Sequence, residues 1–327
     1  MRYDVITIGG AVEDINFYTS EGILLDNKKD VLRQKLLAFE YGAKIKIDKS
    51  YATFGGGAAN TAVNFSRLGF KVAALIAVGK DERGKRILKN LKKQKVKIDL
   101  AQTVKNIESG FSFVLIGPDD EHIVFSDRAA NSELIISQSE IRSLKNTKWV
   151  YIASLSGKWP ELLKNIFLVP KLKIAWNPGH IQLNSGVKKI GAFLKKTSVL
   201  CLNKDEAIEL AASSSKYRRK GNTFLNKNRN LLVALKSMGP AIVVITSGKQ
   251  GADAYDGNKF YHQAILKEKR RVDTTGVGDA FGSSFAAGLE LYDGDIRLAM
   301  KLGVKNTASV IGQQGAQNGL LSKKFIK

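Results

Sequence analysis

Asp273-Thr274-Thr275-Gly276-Val277-Gly278-Asp279-Ala280-Phe281 runs directly into residues 282–289, which are rich in Gly, Ala and Ser. Its two glycines admit positive φ and let backbone amides converge without side-chain interference. The small residues that follow predict a closely packed helix near 277–291. The positive end of that helix, with its unpaired amides, makes an anion hole. Asp279 stands beside the hole. A carboxylate there does not help to bind a phosphate, because like charges repel. It does suit a group that orients an attacking hydroxyl and takes its proton while the amides of Gly276, Val277 and Gly278 hold the phosphoryl group. The competing reading is an Asp that caps a helix start. The Thr-Thr pair and the small-residue helix favour catalysis.

Working outward, short β-branched runs at 5–8, 72–78, 149–153, 173–176, 199–202 and 241–245 read as buried strands. Helical patterns at 58–68, 83–91, 162–167, 187–194 and 231–238 separate them, and another follows at 295–311. Strands alternating with helices of this length predict an α/β fold with a mostly parallel sheet covered on both faces. Two stretches break the rhythm. Residues 15–54 are polar and charged. Within 99–127, the run 111–116, the turn Gly117-Pro118-Asp119-Asp120 and the run 122–125 signal a β-hairpin. Both inserts are expected to form a small antiparallel sheet, either a lid over the site or an extension of the sheet edge. The 327 residues then make one domain with the lid inserted in it.

A second glycine-rich element, Phe54-Gly55-Gly56-Gly57-Ala58-Ala59-Asn60, leads into a helix. Three glycines allow close approach to a ligand, and Asn60 offers both a donor and an acceptor, a mixture suited to a polyhydroxy molecule. The same glycines also fit a flexible helix entry. Leu202-Asn203-Lys204-Asp205-Glu206 passes from strand to helix, as a capping box or as a carboxylate for a magnesium-bound water. The run Thr246-Ser247-Gly248-Lys249-Gln250-Gly251 either covers a nucleotide or is an ordinary turn. No G-x-x-x-x-G-K-[ST] motif occurs, and no G-x-G-x-x-G follows the first strand, which argues against a P-loop and a Rossmann dehydrogenase.

Composition bounds the function further. Lys and Arg number 52 against 30 Asp and Glu, a net +22 that invites a nucleic-acid reading. The charge is scattered in short clusters at 89–97, 216–220, 267–271 and 323–327, without a zinc-finger spacing or a continuous basic region, and reads as surface. Cys201, the single cysteine, lies in an apolar run as a buried thiol. His122, His180 and His262 show no metal-binding spacing. With no signal-like leader and no apolar run near the ~18 residues that span a bilayer, a cytoplasmic protein is expected.

In this order the motifs resemble the ribokinase family of ATP-dependent sugar and nucleoside kinases, over essentially the whole chain. The 273–281 stretch is similar to that family's D-T-T-G-A-G-D-A-F signature, with Val277 in place of Ala. The resemblance implies a ribokinase-like α/β/α sandwich with a β-lid, ATP and Mg2+ as cofactors, and a small sugar or nucleoside as acceptor. It implies Asp279 as catalytic base and the 276–278 amides as anion hole. Asn203 and Glu206 would serve phosphates and magnesium, Thr246, Gly248 and Gly251 the nucleotide, and Asn306 and Ser309 the adenine side. Asp14, Asn16, Gly56, Gly57, Asn60 and Arg128 would meet the acceptor. Asp273 and Thr275 match a loop that binds K+ in some members, although Gln313-Gln314-Gly315 lacks an Arg often found there. Phe54, Phe111, Phe113 and Phe125 could stack a nucleoside base or pack the lid. A homodimer through the lid is a further implication, and a silent sugar- or nucleic-acid-binding regulator is the competing reading from outside the enzymes.

Overall fold

Alternation of buried β-branched runs with amphipathic stretches resolves into strands and covering helices, in a computed structural model that describes residues 3–27, 35–117, 122–268 and 270–325. The first strands are β1 (Tyr3–Ile8), β2 (Val12–Tyr18), β3 (Ile23–Asp26), β4 (Lys35–Ala38) and β5 (Lys49–Gly55). After them come β6 (Val72–Leu75), β7 (Ala77–Gly79), β8 (Gln102–Val104), β9 (Phe111–Ile116) and β10 (His122–Asp127). The rest are β11 (Thr147–Ile152), β12 (Lys173–Trp176), β13 (Val199–Asn203), β14 (Ile242–Thr246), β15 (Ala252–Tyr255) and β16 (Phe260–Gln263).

Eight of these form the central sheet in the order β16-β15-β14-β13-β12-β11-β1-β6. The six strands from β14 to β6 run parallel, and β15 and β16 add an antiparallel edge. Side chains alternate between faces along a strand. Ile6 and Ile8 therefore enter one core with Phe167, Trp176 and Leu202, while Val5 enters another with Phe65, Tyr151 and Phe285. Helices Gly57–Arg67, Val277–Leu291 and Ile296–Ile311 contribute to the second core. Close approach there depends on absent side chains. A Cβ on Gly288 would lie 2.6 Å from the Ala299 Cα, and one on Gly303 would lie 2.8 Å from the Phe281 ring. That is the physical use of the small residues after Asp279.

A second sheet, β10-β9-β2-β5, stands beside the first. Only residues 9–11 separate β1 from β2, and β5 feeds straight into the glycine triplet. The small sheet thus begins at Val12 rather than residue 15. Residues 99–110 do not join it; β8 pairs with β7 instead, and Ile76 interrupts the expected 72–78 strand. The hairpin of 111–127 forms as expected, but its turn from Pro118 to Asp120 lies outside the described residues. The β15–β16 hairpin has no counterpart in the sequence reading.

Candidate active site

Gly276 caps the Val277–Leu291 helix in the left-handed region, at φ 73°. Only glycine takes that conformation without strain, and a Cβ would also stand 2.3 Å from the Ala316 Cβ. The amides of Gly276, Gly278 and Asp279 have no acceptor among the described residues, whereas Val277 N–H points to the Thr274 carbonyl at 3.4 Å. Val277 is therefore the weakest member of the expected anion hole. Gly278 differs from its neighbours in that an added Cβ would meet no protein atom within 4 Å. It faces the open space of a cavity that it helps to line.

Asp279 follows on the first turn of the helix. Its Oδ2 accepts a 2.9 Å hydrogen bond from Asn60 Nδ2. Asn60 Oδ1 in turn accepts from Gln317, and Gln317 accepts from Asn90, so a chain of amides fixes which end of Asn60 faces the carboxylate. Burial raises the Asp279 pKa, and the Asn60 bond opposes the rise. The outcome is a carboxylate more basic than usual, held in place by one neutral donor. This is the character of a general base.

The glycine triplet makes room for two carboxylates. A Cβ at Gly55 would strike the Asp14 Oδ2, and one at Gly57 would lie 3.4 Å from the Asp279 Oδ1. Gly56 sits between them at φ 92°, against the Gly10 carbonyl. Asp14 lies on β2 with Thr53 and Ser112 as cross-strand partners. It is buried, and burial lifts its pKa from an ordinary 3.8 to about 6. The Ser112 hydroxyl and the Arg128 charge pull it down, while Asp273 and Asp279 push it up. Arg128, Asp273 and Asp279 thus all act on Asp14 by charge. Asn16, two residues along β2, donates to Thr53 Oγ1 at 3.2 Å.

Two cavities flank the 273–281 stretch, Val277, Gly278 and Phe281 lining one and Asp273, Thr274 and Thr275 the other. One of about 280 Å3 is lined by Asn203, Thr246, Gly248 and Gly251, as expected for a nucleotide, and by Val277, Gly278 and Phe281. The Ile296–Ile311 helix presents Val304, Thr307, Ala308 and Ile311 to it. Asn306 and Ser309 are not among them. Asn306 is fully buried, donates to Asn64 and Ser284 and accepts from the Leu321 amide; Ser309 donates to the Gly319 carbonyl. Both side chains serve packing, which corrects their placement beside adenine. Spacings of three and four residues, as in 304, 307, 308 and 311, are the signal that identifies the right face. Lys249, from the 246–251 run, lines this wall as well, and so do Ile265, Leu266 and Glu268, to which the sequence reading gave no role.

Beneath this cavity, Asn203 and Glu206 form a reciprocal capping box: Asn203 N–H donates to Glu206 Oε2, and Glu206 N–H to Asn203 Oδ1, each at 2.9 Å. The bland reading of this motif is correct and does not exhaust it. Glu206 Oε1 has no donor among the described residues. A small space of about 70 Å3 joins Glu206 to Asn177, Asn203 and Gly278. Burial raises the Glu206 pKa, the Asn203 amide lowers it, and Glu209 and Asp279 raise it further. A half-buried carboxylate with a free oxygen and like-charged neighbours fits a hydrated divalent cation between it and phosphates. Cys201, whose thiol burial pushes up to about 12, is inert by comparison.

The second cavity, about 560 Å3, lies under the small sheet and is strongly polar. Asn16, Tyr18, Lys49 and Tyr51 come from the sheet, and Arg270, Arg271, Asp273, Thr274 and Thr275 from the loop before the helix. Asp273 accepts the Thr275 and Gly315 amides, each at 2.8 Å, and so clamps two loops together. Phe111 packs edge-on against Phe113 and beneath the Arg83 guanidinium, outside this lining.

A family model described as pfkB family carbohydrate kinase matches residues 32–323. The chain belongs to this family. It is accordingly an ATP-dependent carbohydrate kinase of ribokinase-like fold. A 6-phosphofructokinase of Thermoanaerobacterium thermosaccharolyticum is 25% identical to this kinase over 323 residues, 92% of this chain and 94% of that protein. A ribokinase of Bacillus subtilis is 27% identical over 282 residues, covering 84% and 86%. Among solved structures, the kinase superposes on Thermotoga maritima ribokinase with a TM-score of 0.81 at 17% identity, covering 99% and 98% of the two chains. For the Methanocaldococcus jannaschii nucleoside kinase the TM-score is 0.75 at 20% identity, covering 99% and 97%. Among the described residues, no helix of the kinase is long and apolar enough to cross a membrane.

Proposed function

We propose that the kinase moves the terminal phosphoryl group of ATP to a hydroxyl of a small sugar in a single in-line step. Asp279 accepts the hydroxyl proton. The Gly276, Gly278 and Asp279 amides, at the positive end of the helix, face the oxygens of the group in transit. Asp14 and Asn16 orient the acceptor, and Arg128 balances the carboxylates around it. The nucleotide lies along Thr246–Gly251 and the 304–311 helix face. Magnesium, when bound, supplies charge neutralisation between the phosphates, with Glu206 holding it through water.

The observation that carries the proposal is the position of Asp279. It is a basic carboxylate, paired with no cation among the described residues, within the 273–281 stretch, a wall whose Val277, Gly278 and Phe281 line an open cavity and whose Asp273, Thr274 and Thr275 line a polar cleft. The small sheet, whose β2 and β5 bring Asp14 and the glycine triplet to this wall, is assigned the part of a lid that excludes water. Acceptor-dependent release of ADP, with a product heavier by one phosphoryl group, tests the proposal. ATP hydrolysis indifferent to every added sugar would contradict it.

Two finer parts go with this reading. A monovalent cation beside Asp273 and Thr275 predicts higher turnover in K+ than in Na+ at constant ionic strength. A homodimer through the small sheet rests on the exposed Phe113, Ile123, Val124 and Phe125, and light scattering reads the mass directly.

A further inference from the structure

The turn from Thr246 to Gly251 walls the cavity assigned to the nucleotide, with Thr246, Gly248, Lys249 and Gly251 in its lining. It has little of its own to hold it there. Residues Gly248–Gln250 make one short turn that buries no side chain. Gly248 and Gly251 flank it at φ 51° and 87°. Backbone bonds close it on itself: Ser247 N–H to the Gly251 carbonyl at 2.8 Å, Gln250 N–H to the Ser247 carbonyl at 3.0 Å and Gly251 N–H to the Gly248 carbonyl at 3.1 Å. Such bonds set the shape of a turn and not its place against the body.

The place is set from another element. Asn228, the first residue of the Asn228–Lys236 helix, donates from Nδ2 to Ser247 Oγ at 2.9 Å and to Asp253 Oδ2 at 2.7 Å. Asp253 lies on β15, and its cross-strand partner His262 on β16 brings Nδ1 to 2.8 Å from Asp253 Oδ1. An ionised carboxylate only accepts, so the amide must turn its NH2 end to Asp253, and its second proton is then aimed at Ser247. Asn228 Oδ1 is left buried with no partner among the described residues. An unpaired buried acceptor is costly, and the amide keeps this orientation because reversal would set its oxygen against the carboxylate. The Arg229 guanidinium, 4.3 Å from the Phe260 ring centroid, pins the same helix start to β16. Asn228, Asp253 and His262 all lie outside the cavity lining.

We infer that Asn228 is a positioning residue for the phosphate donor: it holds Ser247, and through Ser247 the 246–251 wall, where the nucleotide docks. This rests on the nucleotide site proposed above and adds to it a residue that does not touch the ligand. The β15–β16 hairpin gains a part beyond closing the sheet edge, since its Asp253 and His262 orient the Asn228 amide. A wall held in place acts on bound ATP before and during transfer alike. Its loosening therefore raises the KM for ATP and leaves kcat unchanged.

Asn228→Ala and Ser247→Ala should each raise the KM for ATP, and its Kd in titration calorimetry, by about 3- to 10-fold, the range of one lost hydrogen bond. The kcat and the acceptor KM should stay within about twofold of wild type. Ser247→Thr, which keeps the accepting oxygen, should retain wild-type affinity. The double variant Asn228→Ala with Ser247→Ala should bind ATP no more weakly than the weaker single variant, because both remove the same bond. Effects that multiply in the double variant would overturn the inference, as would a lowered Tm with an unchanged KM for ATP. If Asn228→Ala fails to fold, Ser247→Ala decides by itself, and unchanged ATP affinity there overturns the inference. ATP binding without transfer to any sugar would contradict the function proposal and leave this inference standing. A wild-type chain that binds no ATP would overturn both.

Discussion

The two cavities that share the 273–281 stretch as a wall are built from opposite materials. The nucleotide side consists of glycines, aliphatic side chains and one helix face, with little charge beyond Lys249 and Glu268. The proposed acceptor side is lined by the Asp273 carboxylate, guanidinium and ammonium groups, hydroxyls and amides. The first binds by shape and backbone, so its specificity is broken by added bulk. The second binds by directed polar groups, so its specificity is broken by removal of charge. Substitutions on either side should therefore separate the two Michaelis constants, and a substitution on the shared wall should spare both.

The largest effect is expected on that wall. Asp279→Asn should lower kcat by about 10²–10⁴, the usual contribution of a positioned general base, with ATP affinity retained in titration calorimetry. Asn60→Ala, which removes the hydrogen bond to Asp279 Oδ2, should lower kcat by roughly 10- to 100-fold. It should also move the acid limb of the pH–rate profile upward, because the bond that holds the Asp279 pKa down is lost.

Asp14→Asn acts on the acceptor side and carries an opposite effect on stability. The folded-state pKa of Asp14, about 6, lies above the ordinary 3.8. The folded chain therefore binds that proton more tightly than the unfolded chain. The stability this provides is fully present below about pH 4 and is lost as pH rises through 6. At pH 7 the ionised, buried carboxylate is a strain, and Asp14→Asn should relieve it by roughly 1–3 kcal/mol. Thermal denaturation would show a raised Tm at pH 7 and a smaller gain at pH 4. The same variant should raise the acceptor KM and leave the ATP KM alone, and kcat/KM of the parent should fall below about pH 6.

On the nucleotide side, Ala308→Leu should raise the KM for ATP about 10-fold by filling the cavity. Ser309→Ala, one position away but bonded to Gly319, should leave it within about twofold. That pair is the smallest contrast and the one that separates the helix faces.

This contrast also shows what was legible beforehand. Strand and helix order was readable because period-two and period-3.6 patterns report burial directly, and the 273–281 motif marked the start of the helix that Gly276 caps. Asn306 and Ser309 were misplaced because a polar residue in a helix was weighed by type instead of by face. Arg270 and Arg271 lay in a basic cluster read as surface. Whether a cation lines a cleft depends on the long-range approach of β2 and β5 to the 270–275 loop, which local patterning does not encode. Asn60 was recognised, but its bond to Asp279 spans 219 positions and needed the fold.

The central claim is one direct transfer across the shared wall, and the stereochemistry of that transfer tests it. ATP made chiral at its γ-phosphorus with oxygen isotopes should yield a product of inverted configuration, as a single in-line displacement requires. Retention would mean two displacements through a phosphorylated enzyme, and Asp279 would then not act as a base between donor and acceptor.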